Sequence, residues 1–172
     1  MEETMITTDI LLMARMADDV KIPTKRAGDS CFDIYAHFEE HDMVIQPHET
    51  VMVPTGLMCA FAPEYVMILK ERGSTGTKGI GQRSGVVDSN YRGEIFVPIT
   101  NHNDKPLLIT KETNANTLDI LRDDYIVYPY SKAISQALVL PVAPVAVKEV
   151  CPEMIAGLTT ERGDGALGSS GK

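Results

Sequence analysis

Tryptophan is absent, and Phe and Tyr bring the aromatic share to only 6% of the 172 residues. A core must therefore be built mainly from Val, Ile, Leu, Met and Ala. Cysteine is scarce too: Cys31, Cys59 and Cys151 are odd in number, widely spaced and without a C-x-x-C pair. They predict reduced, mostly buried thiols of a cytoplasmic protein rather than a disulfide framework. Cations are outnumbered, 16 Lys and Arg against 24 Asp and Glu, for a net charge of −8. A general nucleic-acid or anionic-membrane binder needs a basic face, so neither partner is expected. No apolar run is long enough to span a bilayer. Met1-Glu2-Glu3-Thr4 is acidic where a signal peptide is basic, and Leu11-Leu12-Met13-Ala14 is too short for an export segment. His37 and His41 flank Phe38-Glu39-Glu40, which is not the H-E-x-x-H of a zinc helix. A solvated acidic loop is expected there.

What is present suits one domain with a real core. Short apolar runs bounded by Pro, Gly, Asn and Asp recur at 43–45, 51–53, 57–61, 65–69, 95–99, 107–109, 125–128 and 137–147. Each is strand-length, several are β-branched, and helical periodicity is sparse, which predicts an all-β sandwich or barrel. At most one short helix is expected, near 113–124, where Thr113 or Asn114 can cap a turn carrying Leu118, Ile120 and Leu121. Residues 163–172 hold four Gly and two Ser, the composition of a flexible tail. Arg162 stands just before it, so the tail combines a cation, hydroxyls and accessible backbone N–H groups, enough to fold over an anion.

Two segments carry chemistry. Residues 85–94 read Gly-Val-Val-Asp-Ser-Asn-Tyr-Arg-Gly-Glu, which predicts a β-hairpin holding the Asp88 carboxylate and the Tyr91 ring close together. The stretch from Lys70 to Arg92 is the basic part of an acidic chain, five cations against two acids. Within it, Arg72-Gly73-Ser74-Thr75-Gly76-Thr77-Lys78-Gly79 has the glycines and donors of a phosphate cradle without Walker A spacing. A polar loop is the plainer alternative.

Five segments in order resemble the trimeric deoxyuridine triphosphatase (dUTPase) family. They are Ala27-Gly28-Asp29-Ser30-Cys31-Phe32-Asp33-Ile34-Tyr35-Ala36; Arg72-Gly73-Ser74 with Gly76, Lys78, Gly79 and Ile80; residues 85–94; Ile134-Ser135-Gln136 through to Pro141; and residues 162–171. The resemblance covers roughly residues 20–172 and implies a distorted jelly-roll or barrel-like β fold. The body would be residues 1–160, with an insertion at about 101–131 of the kind found in phage-type members. Residues 161–172 would be an arm that closes over an active site. It implies a homotrimer with shared sites that hydrolyses dUTP to dUMP and diphosphate by water attack on the α-phosphate. That reaction limits uracil incorporation into DNA and supplies dUMP for dTMP synthesis.

The same resemblance assigns residues. Asp88 is the base that activates water. Tyr91 lies against the deoxyribose and excludes a 2′-hydroxyl, while backbone groups of the hairpin between Gly85 and Tyr91, Val87 among them, read the uracil edge in a fit that excludes the thymine methyl. Gln82 adds a side-chain hydrogen bond to the base, and Leu167 covers it. Arg72, Gly73, Ser74, Gln136, Arg162, Ser169 and Ser170 hold the phosphates. Asp33 reaches Mg²⁺ through water, the ion being held mainly by the triphosphate.

Three departures matter. Gly73 stands where the family has Ser after Arg72, so either neighbouring hydroxyl can meet the phosphate. Leu167 replaces a common aromatic, giving apolar cover in place of stacking. Ser131, Lys132 and Ala133 replace a Gly, an acid and an Arg before Gln136. The insertion reads as a surface loop or as a docking surface for a regulatory protein. A dCTP deaminase, alone or combined with dUTPase activity, and a non-catalytic regulatory module are the competing readings.

Overall fold

The computed structural model describes residues 10–165. Within them run β1 (Leu12–Arg15), β2 (Phe32–Ile34), β3 (Asp42–Ile45), β4 (Thr50–Pro54), β5 (Leu57–Ala60), β6 (Tyr65–Lys70), α1 (Gly73–Gly76), β7 (Ile80–Gln82), β8 (Val86–Val87), β9 (Phe96–Asn101), β10 (Leu107–Thr110), α2 (Ala115–Asp124), β11 (Ile126–Pro129), β12 (Ser135–Pro141) and α3 (Pro152–Ala156). The protein is all-β, as its short apolar runs predict. The strands form four small sheets, β1-β5, β11-β10-β3, β2-β12-β6-β8 and β4-β9-β7. Together they enclose a core of Ile34, Ile45, Val53, Leu57, Met67, Leu69, Val97, Ile99, Leu107 and Ile109, all 2% exposed or less. No helix among the described residues is long and apolar enough to cross a membrane.

Sheet position decides the burial pattern. β12 alternates buried and half-buried residues over its first half, as a strand covered on one face does. β10 buries all four residues because it lies between two neighbours and under other sheets. In register, Gln136 on β12 stands opposite Asp33 of β2 on one side and Lys70 of β6 on the other. That row of polar residues at one sheet end creates the site described below.

The 101–131 interval is less of an ornament than its sequence suggests. Leu107, Ile109 and Tyr128 lie in the core, and β10 pairs in parallel with β11. Parallel neighbours need a long crossover, which residues 111–125 supply. Only that crossover is peripheral, and α2 within it buries no residue. Asn114 caps α2, its side chain accepting from Asn116 N at 3.0 Å and Thr117 N at 3.3 Å.

Four expectations change. Two further helical turns, α1 and α3, accompany the anticipated helix. The 137–147 run is strand only to Pro141; Val145 and Val147 are 83% and 101% exposed. Residues 85–94 are not a two-stranded hairpin, because β8 pairs with β6 whereas β9 pairs with β4 and β7. They form a crossing between two sheets. Of the cysteines only Cys59 is buried, where burial raises its thiol pKa; Cys31 is half-buried and Cys151 exposed.

Candidate active site

The first half of the site lies where β2, β12 and the end of β6 meet. Arg72 follows β6 and N-caps α1, with Thr75 turned back on its backbone: Arg72 N donates to Thr75 Oγ1 at 3.0 Å. This fixes the guanidinium. Its Nε lies 3.0 Å from Asp33 Oδ1, and its Nη1 donates to Ala133 O at 3.2 Å and Ser74 Oγ at 3.4 Å. Gln136 Nε2 donates to Glu71 O at 3.0 Å, leaving the amide oxygen toward the cleft. A cavity of about 620 Å³ opens over these groups, lined by Asp33, Arg72 and Gln136 and by Lys25, Arg26, Gly28 and Asp29 of the β1–β2 connection. Three cations face two acids there, a setting that favours an anion. Beneath it Tyr128 donates its hydroxyl to Ala133 O at 2.6 Å, and burial raises its pKa.

The second half is separate. A pocket of about 220 Å³ is lined by Leu69, Gly85, Val87, Asp88, Tyr91 and Glu94 among others. Gly85 has φ +132°, and a Cβ there would sit 2.4 Å from Leu69 O. Only glycine lets the backbone lie this close to β6, where Leu69 N donates to Gly85 O at 2.7 Å. Tyr91 N donates to Asp88 O at 3.1 Å, closing the turn that brings the ring near the carboxylate. The ring lies over Gly93, whose Cβ would meet the phenol oxygen at 2.4 Å, and the hydroxyl donates to Glu94 O at 2.8 Å. Glu94 is itself held, its carboxylate accepting from Gly56 N at 2.8 Å and Thr55 N at 3.1 Å. Asp88 is exposed, and among the described residues nothing pairs with its carboxylate.

The fold thus brings Asp33, Arg72, Ser74 and Gln136 together, and separately Gly85, Val87, Asp88 and Tyr91. Ser74 rather than Thr75 faces outward with Arg72, since Thr75 is buried in its capping role. Gly73 leaves open space around its Cα. Gln82 is not among the residues lining the 220 Å³ pocket: its amide oxygen accepts from Ser135 Oγ at 2.7 Å, while its buried nitrogen, without a partner among the described residues, faces Gly85 of that pocket. Arg162 lies on the exposed segment beyond α3, its Nε donating to Gly165 O at 2.9 Å. Leu167, Ser169 and Ser170 lie outside the described residues. Lys25, Arg26 and Glu94 were not singled out by sequence; the Glu94 tie to the Thr55-Gly56 turn spans the chain and has no local signal.

For a metal, no cluster of three or more His, Cys, Asp or Glu exists among the described residues. The donor set fits Mg²⁺ in one way only, with the half-exposed Asp33 carboxylate supplemented by water and by phosphate oxygens of a ligand. His37 and His41 instead meet Asp19 and Asp42, each at 3.0 Å.

Comparison with known proteins bears on the family and the fold. The sequence profile of the dUTPase family matches residues 18–115. The deoxyuridine 5′-triphosphate nucleotidohydrolase of Neisseria meningitidis serogroup A is 32% identical over 165 residues, covering 94% of this chain and 93% of that protein. Its counterpart from Dictyoglomus turgidum is 29% identical, covering 94% and 97%. Among solved structures, the Staphylococcus bacteriophage 80alpha dUTPase with dUpNHpp superposes with a TM-score of 0.73 at 19% identity, covering 96% of this chain and 100% of that one. A dUTPase of phage phi11, described with a structural Mg(II) ion, superposes at 0.64 with 16% identity, covering 83% and 97%. A profile match over more than half the chain and 32% identity along nearly all of it place this protein in the dUTPase family.

Proposed function

We propose that this chain hydrolyses dUTP to dUMP and diphosphate, by water attack on the α-phosphorus. The observation that carries the reading at residue level is the 85–91 pocket, where a close-lying backbone, a flat ring and an unpaired carboxylate converge. Asp88 accepts the proton of the attacking water, a role worth about 10²–10⁴-fold. Backbone groups from Gly85 to Val87 read the uracil edge, and Tyr91 leaves no room for a 2′-hydroxyl. Arg72, Gly73, Ser74 and Gln136 hold the phosphates, joined by Arg162, Ser169 and Ser170 of the 161–172 arm, while Leu167 covers the base. Asp33 faces Mg²⁺ through water; the ion, when bound with substrate, offsets phosphate charge. Every other step falls to the chain's own donors, which hold the triphosphate in line for attack. The three unbridged thiols support a reducing, cytoplasmic setting.

The site is shared between the subunits of a homotrimer. Small-molecule sites run to about 300–1,000 Å³, so the 220 Å³ pocket cannot enclose a whole nucleoside triphosphate, and the phosphate-binding cleft is lined by different residues. Val145, Val147, Met154, Ile155 and Leu158 are all more than half exposed, as an arm crossing a neighbouring subunit would leave them. Mixing Arg72→Ala with Asp88→Asn subunits tests this. Each variant alone is expected to be inactive, and hybrid trimers to regain activity. Hybrids that assemble but stay inactive would refute sharing.

Diphosphate release measured side by side on dUTP, UTP, dTTP and dCTP with Mg²⁺ tests the reaction. Hydrolysis confined to dUTP is expected, and ammonia released from dCTP would overturn it in favour of a deaminase. A regulatory partner docking on the crossover is a second reading, supported by α2, which buries nothing and exposes Ile120 by 70%. Because β10 and β11 belong to the core, Ile120→Glu is a better probe than deletion. Unchanged partner recovery would count against docking.

A further inference from the structure

The crossing from β7 to β8 passes between two sheets, and it is strained. Ser84 has φ +51° and Gly85 φ +132°, two successive residues in the left-handed half of backbone space, the first carrying a side chain. Such conformations persist only where surrounding contacts over-determine them. Three do so here. Arg83 N donates to Pro98 O at 3.0 Å, Leu69 N donates to Gly85 O at 2.7 Å, and the Gln82 amide meets Ser135 Oγ at 2.7 Å.

The last contact has no counterpart in ordinary sheet pairing. Gln82 belongs to the β4-β9-β7 sheet and Ser135 to the β2-β12-β6-β8 sheet, so the bond bridges the two just before the crossing. Ser135 is fully buried and precedes Gln136 of the phosphate cleft. Its hydroxyl also lies 3.1 Å from Lys70 O, and one hydroxyl proton cannot serve both acceptors. Ser135 Oγ donates to Gln82 Oε1, the shorter of the two contacts, and so ties β12 to β7. Gln82 Nε2, at the other end of the amide, is buried without a partner among the described residues and faces Gly85, whose Cβ would lie 3.0 Å from it.

We infer that Gln82 and Ser135 are positioning residues: their bridge holds the Ser84-Gly85 corner, and through it sets the backbone that discriminates the base. This rests on the reading of Gly85–Val87 as the uracil reader. A buried polar pair between two sheets fixes geometry more than it adds net stability. Its removal should therefore appear in base selection before it appears in turnover.

The test compares wild type with Ser135→Ala and Gln82→Met in the trimer. Both variants should raise KM for dUTP about 5- to 10-fold, the worth of one buried hydrogen bond, with kcat within about twofold. The preference for dUTP over dTTP in kcat/KM should narrow by a similar factor. Unchanged KM and preference, or a fall in kcat with preference intact, would overturn the inference. Hydrogen exchange of the 83–88 segment gives a readout independent of activity: faster exchange there, with β3 and β10 unchanged, is expected. Unchanged exchange overturns the bridge even if wild type proves inactive on dUTP, whereas inactivity with the expected exchange overturns the functional reading alone.

Discussion

Replacing Gly85 by Ala puts a methyl group where the fold has no space for one. The ideal Cβ falls 2.4 Å from Leu69 O, a backbone atom of a central strand that cannot swing aside. An L residue at φ +132° adds about 1–3 kcal/mol of conformational strain. Moving the corner away from β6 breaks the bond from Leu69 N to Gly85 O, worth about 1 kcal/mol net. Together these give a loss of about 2–4 kcal/mol, which lowers Tm by roughly 5–15 °C in a chain of this size. Gly28→Ala is the control: its φ is +92°, yet nothing lies within 4 Å of the added Cβ, so it bears strain without the clash. Thermal denaturation of all three proteins at one concentration, alongside diphosphate release from dUTP, is the assay. Gly85→Ala should lose both stability and dUTP affinity by more than Gly28→Ala does. Equal effects from the two substitutions, or wild-type values for Gly85→Ala, would refute the claim that close approach to β6 is what demands glycine here.

Asp88→Asn should lower turnover by at least about 100-fold while dUTP binding is largely kept, since the carboxylate is exposed and holds no structural partner among the described residues; near-normal turnover would remove it from the base role. Asn114→Ala should cost α2 about 0.5–2 kcal/mol locally and speed hydrogen exchange over 115–124, with dUTP hydrolysis unchanged because no residue of α2 reaches the core. Acid should unsettle the same loop. Backbone N–H groups of Asn114 and Thr113 hold the Glu112 pKa below its ordinary value, so their contribution is present above the usual carboxylate range and is lost as pH falls through the lower folded value. Tm followed from about pH 6 to pH 3 should therefore fall more steeply in wild type than in Glu112→Gln, and parallel curves would contradict this.

Much of the strand order is legible in the apolar runs, because strands covered on one face must alternate and those covered on both must be continuous. β1, β2 and β7 escape that reading. Phe32-Asp33-Ile34 and Ile80-Gly81-Gln82 are three residues each, too short for a period, and one is interrupted by glycine. The opposite error occurs after Pro141, where Val145 and Val147 look like strand but no segment among the described residues covers them. Apolarity predicts what needs a partner, not where the partner is. The Asn114 cap was readable because its hydrogen bonds span only three residues. The contact of Gln82 with Ser135 was not readable because the two lie 53 residues apart.

The sequence by itself determined the β class and the charge asymmetry, since composition and local patterning are properties of the chain; Asp33, Arg72, Asp88, Tyr91 and Gln136 became candidate site residues through the resemblance of five ordered motifs to the dUTPase family. Only the tertiary structure decided their grouping. It joined Asp33 to Arg72 through the register of β2, β12 and β6, and it set Asp88 in a different pocket. It also made 85–94 a crossing between sheets in place of a hairpin, entered through the strained Ser84-Gly85 corner. Register and sheet pairing are set by packing between residues far apart in sequence, and no local pattern encodes them.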